Sequence, residues 1–217
     1  MFTNVGKILQ TLLDIVLPRR LRMVRAETLT LADLSVTPQA YEACGTRITT
    51  LMDYRNRAVE DCVRALKYDG SSDATTLLAS ALADYLEEEV ANVQTFSARR
   101  SLIAPMPLHV ARKRERGFNQ IERVLIKLPR EFQDGSRTMY APHVITRIRN
   151  TSPQTKLSRH ERLTNVSGAF AADAKGVRGT HVYLIDDVTT TGATLAEAAK
   201  TLCAAGASVS AIALARA

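Results

Sequence analysis

Four consecutive apolar residues, Val182-Tyr183-Leu184-Ile185, run into two carboxylates, Asp186 and Asp187, and then into Val188-Thr189-Thr190-Thr191-Gly192-Ala193-Thr194. No other stretch of the chain restricts its fold as tightly. An apolar run without alternation suits a strand covered on both faces, the usual state of a parallel strand in an α/β sheet. The Ala-rich segment 195–205 behind it has the composition of a helix. Strand, polar turn and helix in that order put the turn at the carboxyl end of the strand, the rim where open α/β sheets hold their ligands. Unpaired N–H groups and the helix dipole favour an anion there. Adjacent strand residues point to opposite sides, so Asp186 and Asp187 are expected to do different things. Carboxylates accept hydrogen bonds from sugar hydroxyls and attract a hard cation such as Mg²⁺. Acids followed by hydroxyls and glycine therefore suit a ribose 5-phosphate. The structural alternative is a buried strand ending in a polar turn, with Asp187 or Thr189 capping the helix.

The rest of the chain reads as an α/β pattern. Apolar Val5, Ile8, Leu9, Leu12, Leu13 and Val16 share one face of a helix that Pro18 ends, and segment 26–53 is weakly patterned. Residues 1–53 are therefore expected to form a helix and an irregular or β-rich appendage, and 54–217 the main domain. A helix over 57–66 closes at Gly70, and a second, capped by Asp73, runs to about Glu89. The three glutamates there read as a solvated helix end. Ser101-Leu102-Ile103-Ala104 reads as a short buried strand leading into Pro105-Met106-Pro107-Leu108. After it comes a basic loop with Arg112, Lys113, Arg114 and Arg116, which would overlook the same rim. The amphipathic helix of Ile121, Val124, Leu125 and Leu128 follows. His109 is a proton-transfer candidate beside its plainer reading as a packing residue. Segment 144–149 reads as a strand, 150–162 as a polar, basic lid or an exposed linker, and 207–213 as the last strand.

Charge points to an anionic partner. The net charge is +7, yet residues 99–162 hold fifteen Lys/Arg against five Asp/Glu, so the excess is concentrated in the middle of the chain. Pyrophosphate, a nucleotide or a nucleic-acid backbone would suit it. A single-strand platform normally adds stacking aromatics, and aromatic content here is 5% with no Trp. Cys44, Cys62 and Cys203 are odd in number and widely spaced, which supports neither a disulfide framework nor a zinc site. With no apolar run near the length of a membrane span and no signal-peptide pattern, a cytoplasmic location is expected.

The stretch from Val182 to Thr194 resembles the phosphoribosyl pyrophosphate (PRPP) motif of the type I phosphoribosyltransferases: four hydrophobic residues, two acids and a Thr/Gly loop. Lys67-Tyr68 with Gly70, Pro105-Met106-Pro107-Leu108, Arg116-Gly117-Phe118-Asn119-Gln120, and Gln154-Thr155 with Leu157, Arg162, Asn165 and Phe170 are similar to blocks of the ComF family, in the same order. The resemblance covers residues from about 54 to the end. It implies a parallel-sheet phosphoribosyltransferase-like α/β fold with helices on both faces, and a link to natural competence, the uptake of DNA. It also implies a site. Asp186 and Asp187 would hold the ribose and form the catalytic pair, and Val188, Thr189, Thr190, Thr191, Gly192, Ala193 and Thr194 would hold the 5-phosphate. Pro105, Met106, Pro107, Leu108, Arg116, Gly117, Asn119 and Gln120 would face pyrophosphate. Arg147, Gln154, Thr155, Lys156 and Arg162 would form the lid, with Lys67 and Tyr68 nearby. Mg²⁺ would ride on PRPP near the two acids, with no direct protein ligand set. One departure stands out: where family members carry zinc-ribbon cysteines after a Leu-x-Pro segment, this chain has Arg19-Arg20-Leu21-Arg22-Met23, so no zinc is expected. Two readings stay open. One is pentosyl transfer with pyrophosphate release. The other is a non-catalytic PRPP or nucleotide sensor, or a single-stranded DNA-binding competence factor.

Overall fold

A six-stranded sheet of order β1-β2-β8-β7-β3-β4 organises the chain in a computed structural model that describes residues 28–150 and 166–217. Its strands are β1 (Gln39–Ala43), β2 (Thr46–Asp53), β3 (Ser101–Pro105), β4 (Met139–Tyr140), β7 (His181–Thr189) and β8 (Ser208–Arg216). Every neighbouring pair is parallel except β1 with β2. The expected α/β fold with a parallel sheet and helices on both faces is the fold observed.

β7 lies between β3 and β8, with Leu184 level with Ala104 and Ala211. Its apolar run is buried along its length, and alternation splits it between two cores. Tyr183 and Ile185 pack under α2 (Arg57–Arg64), α3 (Ser72–Phe96) and α5 (Gln120–Ile126). Val182 and Leu184 pack under α7 (Ala193–Ala204) and the antiparallel pair β5 (Ile145–Arg147) and β6 (Phe170–Ala172). Burial on both faces explains why no polar residue interrupts the run before Asp186. The Gly70 helix end is also found, in left-handed conformation after a π-helical turn over Ala65–Asp69.

Several expectations are corrected. β1 and β2 come from the segment read as an appendage, yet β2 pairs with β8 and Tyr54 N–H donates to Arg216 O, so the chain is continuous with the main sheet across residue 54. Ile48, Leu51 and Met52 are buried, and the Thr-rich sequence between them hid a strand. The strand expected over 144–149 is β5, which sits outside the main sheet, while the two-residue β4 takes the sheet edge. Ser71, not Asp73, caps α3 by accepting from Ala74 N–H, and the helix runs on to Phe96. Glu89 is more than a solvated end, because it accepts from Ser210 Oγ at 2.9 Å. The basic loop after β3 contains a helix, α4 (Val110–Arg116). The helix expected over 5–17 and the lid candidates Gln154, Thr155, Lys156 and Arg162 lie outside the described residues.

Candidate functional site

At the carboxyl end of β7 a cavity of about 270 Å³ opens between the exit of β3, helix α4 and the start of α7. Each wall follows from local sequence. β7 extends through the two acids to Thr189, so neither Asp187 nor Thr189 caps the next helix. The cap position of α7 is Gly192, whose φ of 78° is left-handed and which offers no side-chain cap. The first amide of α7, Ala193 N–H, donates to Thr191 Oγ1 at 3.4 Å, and Thr190, Thr191 and Thr194 line the cavity around the helix start. Glycine is also required by space. A Cβ at position 192 would stand 2.7 Å from Ala43 Cβ and from Ile48 Cδ1, and 3.1 Å from Tyr41 Oη. Tyr41 Oη lies 3.3 Å from Thr189 Oγ1, and the Arg216 guanidinium stacks on the Tyr41 ring. The β1–β2 hairpin therefore backs the Thr/Gly turn, a role that no local signal in the sequence marks.

The two acids occupy different surroundings. Asp187 is buried and faces the α2–α5 side, where Lys67 Nζ lies 3.2 Å from Oδ2 and Gln120 Nε2 donates to the same oxygen. Its Oδ1 accepts from the N–H of Val188. Asp186 points to the other face, toward Arg147 of β5, and its Oδ1 accepts from the N–H of Asp187. Burial, and then the charge of Asp187, push the Asp186 carboxyl up to about 7. For Lys67, burial works to lower the ammonium pKa, but the pair with Asp187 and the nearby charge of Asp186 outweigh it, and the net shift is upward.

Cations outnumber acids around the cavity. Lys67, Arg112, Arg116 and Arg147 line it against Asp186 and Asp187. Arg112 and Arg116 stand four residues apart on α4, hence on one face. Lys113 turns away to pair with Glu122 at 3.1 Å, and Arg114 is exposed outside the lining. Burial and the neighbouring charge of Arg112 lower the pKa of Arg147, with Asp186 acting in the opposite sense. Such an arrangement favours a polyanion carrying hydroxyls. Among the described residues no cluster of three or more His, Cys, Asp or Glu could hold a metal ion.

Met106, Pro107, Leu108, Arg116, Gln120, Arg147, Lys67 and residues 186–194 line the cavity. Pro105, Gly117, Asn119 and Tyr68 do not. Pro105 is the buried last residue of β3, and Gly117 ends α4 at a φ of 84°. Asn119 is a buried clamp, whose Nδ2 donates to Met106 O and whose Oδ1 accepts from Ile121 N–H. Tyr68 is exposed beside Lys67. His109 caps α4, with Nδ1 accepting from Ala111 N–H, and takes no part in the lining. Of the four cations expected to overlook this rim, Arg112 and Arg116 line the cavity, while Lys113 and Arg114 lie outside the lining because of their phase on α4.

The chain is 32% identical over 163 residues to DNA utilization protein YhgH of Escherichia coli K12, covering 74% of this chain and 67% of the relative. It is 34% identical over 125 residues to competence protein ComFC of Bacillus subtilis, covering 57% of this chain and 48% of the relative. The chain belongs to the ComF family. ComF blocks identified in the sequence supply Lys67, the β3 exit and Gln120, three parts of one cavity wall. No family model matches the chain. Among solved structures, orotate phosphoribosyltransferase of Mycobacterium tuberculosis aligns over 88% of this ComF chain and 81% of its own, at 14% identity and a TM-score of 0.37. No helix among the described residues is long and apolar enough to cross a membrane.

Proposed function

We propose that this ComF-family protein binds PRPP at the carboxyl end of β7 and transfers its phosphoribosyl group, with release of pyrophosphate, in a pathway of DNA uptake or use. The observation that carries the reading is that one cavity unites an acid pair, a helix start with its Thr/Gly turn, and a net excess of cations. The start of α7 and the hydroxyls of Thr190, Thr191 and Thr194 would hold the 5-phosphate. Asp186, in its ionised form, would accept from the ribose hydroxyls. Arg112, Arg116 and Arg147 would neutralise the pyrophosphate, which is where an oxocarbenium-like transfer gathers negative charge. In that transfer the bond from C1 to the pyrophosphate oxygen breaks as a nucleophile of the acceptor bonds to C1, and pyrophosphate leaves with the electron pair. Two carboxylates, one already engaged by Lys67 and Gln120, suit a Mg²⁺ carried by the ligand's phosphates and sugar better than a cage of protein ligands. Bound so, the ion would screen the charge of the leaving group. The names of the relatives support the DNA context.

Calorimetry of Mg²⁺·PRPP against wild type and the Asp186→Asn/Asp187→Asn variant tests the site: binding is expected in the first and a loss of tenfold or more in the second. Equal affinities would refute it. Pyrophosphate release on mixing PRPP with a panel of bases then separates transfer from sensing. A second reading, a single-stranded DNA-binding face, is favoured by the exposed Lys113 and Arg114 of α4 beside the cavity.

A further inference from the structure

Asp187 is crowded for a group expected to meet sugar hydroxyls. Val188 N–H occupies one oxygen, and Gln120 and Lys67 share the other. Gln120 is only 5% exposed and both ends of its amide are used: Nε2 donates to Asp187 and Oε1 accepts from Arg116 Nη1. A carboxylate only accepts and a guanidinium only donates, so one orientation of the amide satisfies both neighbours and the flipped one satisfies neither. A buried amide left unbonded is costly. Its position between an anion and a cation makes it a link. Arg116 is the last residue of α4 and half-buried in the cavity wall. Without a tether, a long side chain at a helix end keeps much of its rotamer freedom, and its ordering on binding would weaken the contact.

We propose that Gln120 is a positioning residue that anchors on Asp187 and aims the Arg116 guanidinium at the diphosphate of the ligand, leaving Asp186 as the acid that meets the ribose. The proposal rests on the phosphoribosyl reading above and divides the labour between its two acids. It ties the diphosphate subsite to β7 through one amide, so the sugar and leaving-group sites share a frame although they come from segments about 70 residues apart.

The test uses two probes on the full chain, inorganic pyrophosphate and ribose 5-phosphate, with affinities measured by calorimetry in a double-mutant cycle. Gln120→Leu should weaken pyrophosphate about tenfold, the scale of one charge-assisted contact, and leave ribose 5-phosphate unchanged. Arg116→Ala should weaken pyrophosphate at least as much. In the Arg116→Ala background, Gln120→Leu should cost nothing further, because it acts through Arg116. Gln120→Asn, polar but too short to span both neighbours, should reproduce the loss if the leucine variant does not fold. Additive losses, or an equal loss for ribose 5-phosphate, overturn the positioning role alone. A wild type that binds neither probe overturns the phosphoribosyl reading with it.

Discussion

Replacing Gly192 with alanine tests whether the β1–β2 hairpin sets the Thr/Gly turn after β7. Two costs add. A left-handed φ of 78° disfavours a residue with a Cβ by about 1–2 kcal/mol. The new methyl would meet Ala43 Cβ and Ile48 Cδ1 at 2.7 Å, closer than carbon atoms can stand, and such overpacking costs about 1–3 kcal/mol more. The expected destabilisation is therefore about 2–5 kcal/mol, a large share of the stability of an ordinary domain. Gly117 supplies the control. Its φ of 84° is equally left-handed, but nothing lies within 4 Å of a Cβ there. Gly117→Ala should cost only the backbone part, about 1–2 kcal/mol. The lower entropy of the unfolded chain offsets both variants alike and cancels in their difference. Urea unfolding at a fixed m-value measures both. Gly192→Ala should also weaken ribose 5-phosphate, since the turn must shift to admit the methyl. Equal destabilisation by the two alanines, with ribose 5-phosphate affinity intact, would refute the hairpin's role as a backstop.

The raised Asp186 carboxyl makes stability fall with pH. Between the ordinary carboxylate pKa and about 7 the folded chain holds a proton that the unfolded chain has lost, so this group's contribution declines across that window. Asp186→Asn should flatten the decline in urea midpoints measured from pH 4.5 to 7.5, and an unchanged slope would show that Asp186 ionises normally. For the DNA reading, neutralising Arg112, Lys113 and Arg114 together should reduce the slope of log affinity for single-stranded DNA against log salt by about 2. A slope that does not change would move any DNA contact off α4.

Local patterns carried the parts of this structure that were legible in the sequence. β7 was visible because burial on both faces demands an unbroken apolar run, and α5 because Ile121, Val124 and Leu125 keep helical spacing and are buried. What was hidden depends on pairing or phase. β2 mixes Thr with its apolar residues and gains its place only by lying beside β8, some 160 positions later in the chain. Helix α4 has no buried residue, so no apolar stripe announced it. The cavity wall shows the same division. Residues adjacent to the acids could be read from the motif. Tyr41 could not, because its contact with Thr189 joins positions 148 residues apart.

Alternation along β7 makes one consequence unavoidable. A strand that buries Leu184 on one face and Ile185 on the other must send the next two side chains the same two ways. Asp186 follows Leu184 toward β5 and Arg147, and Asp187 follows Ile185 toward the helices that bring Lys67 and Gln120. Two identical residues thus receive opposite treatment from a single geometric rule. One keeps its charge only against the cost of burial, while the other is compensated by an ammonium and an amide. A motif that writes the acids as an equal pair conceals this difference. The face to which each one belongs, set by the apolar residues before it, determines which looks toward Arg147 and which is held by Lys67 and Gln120.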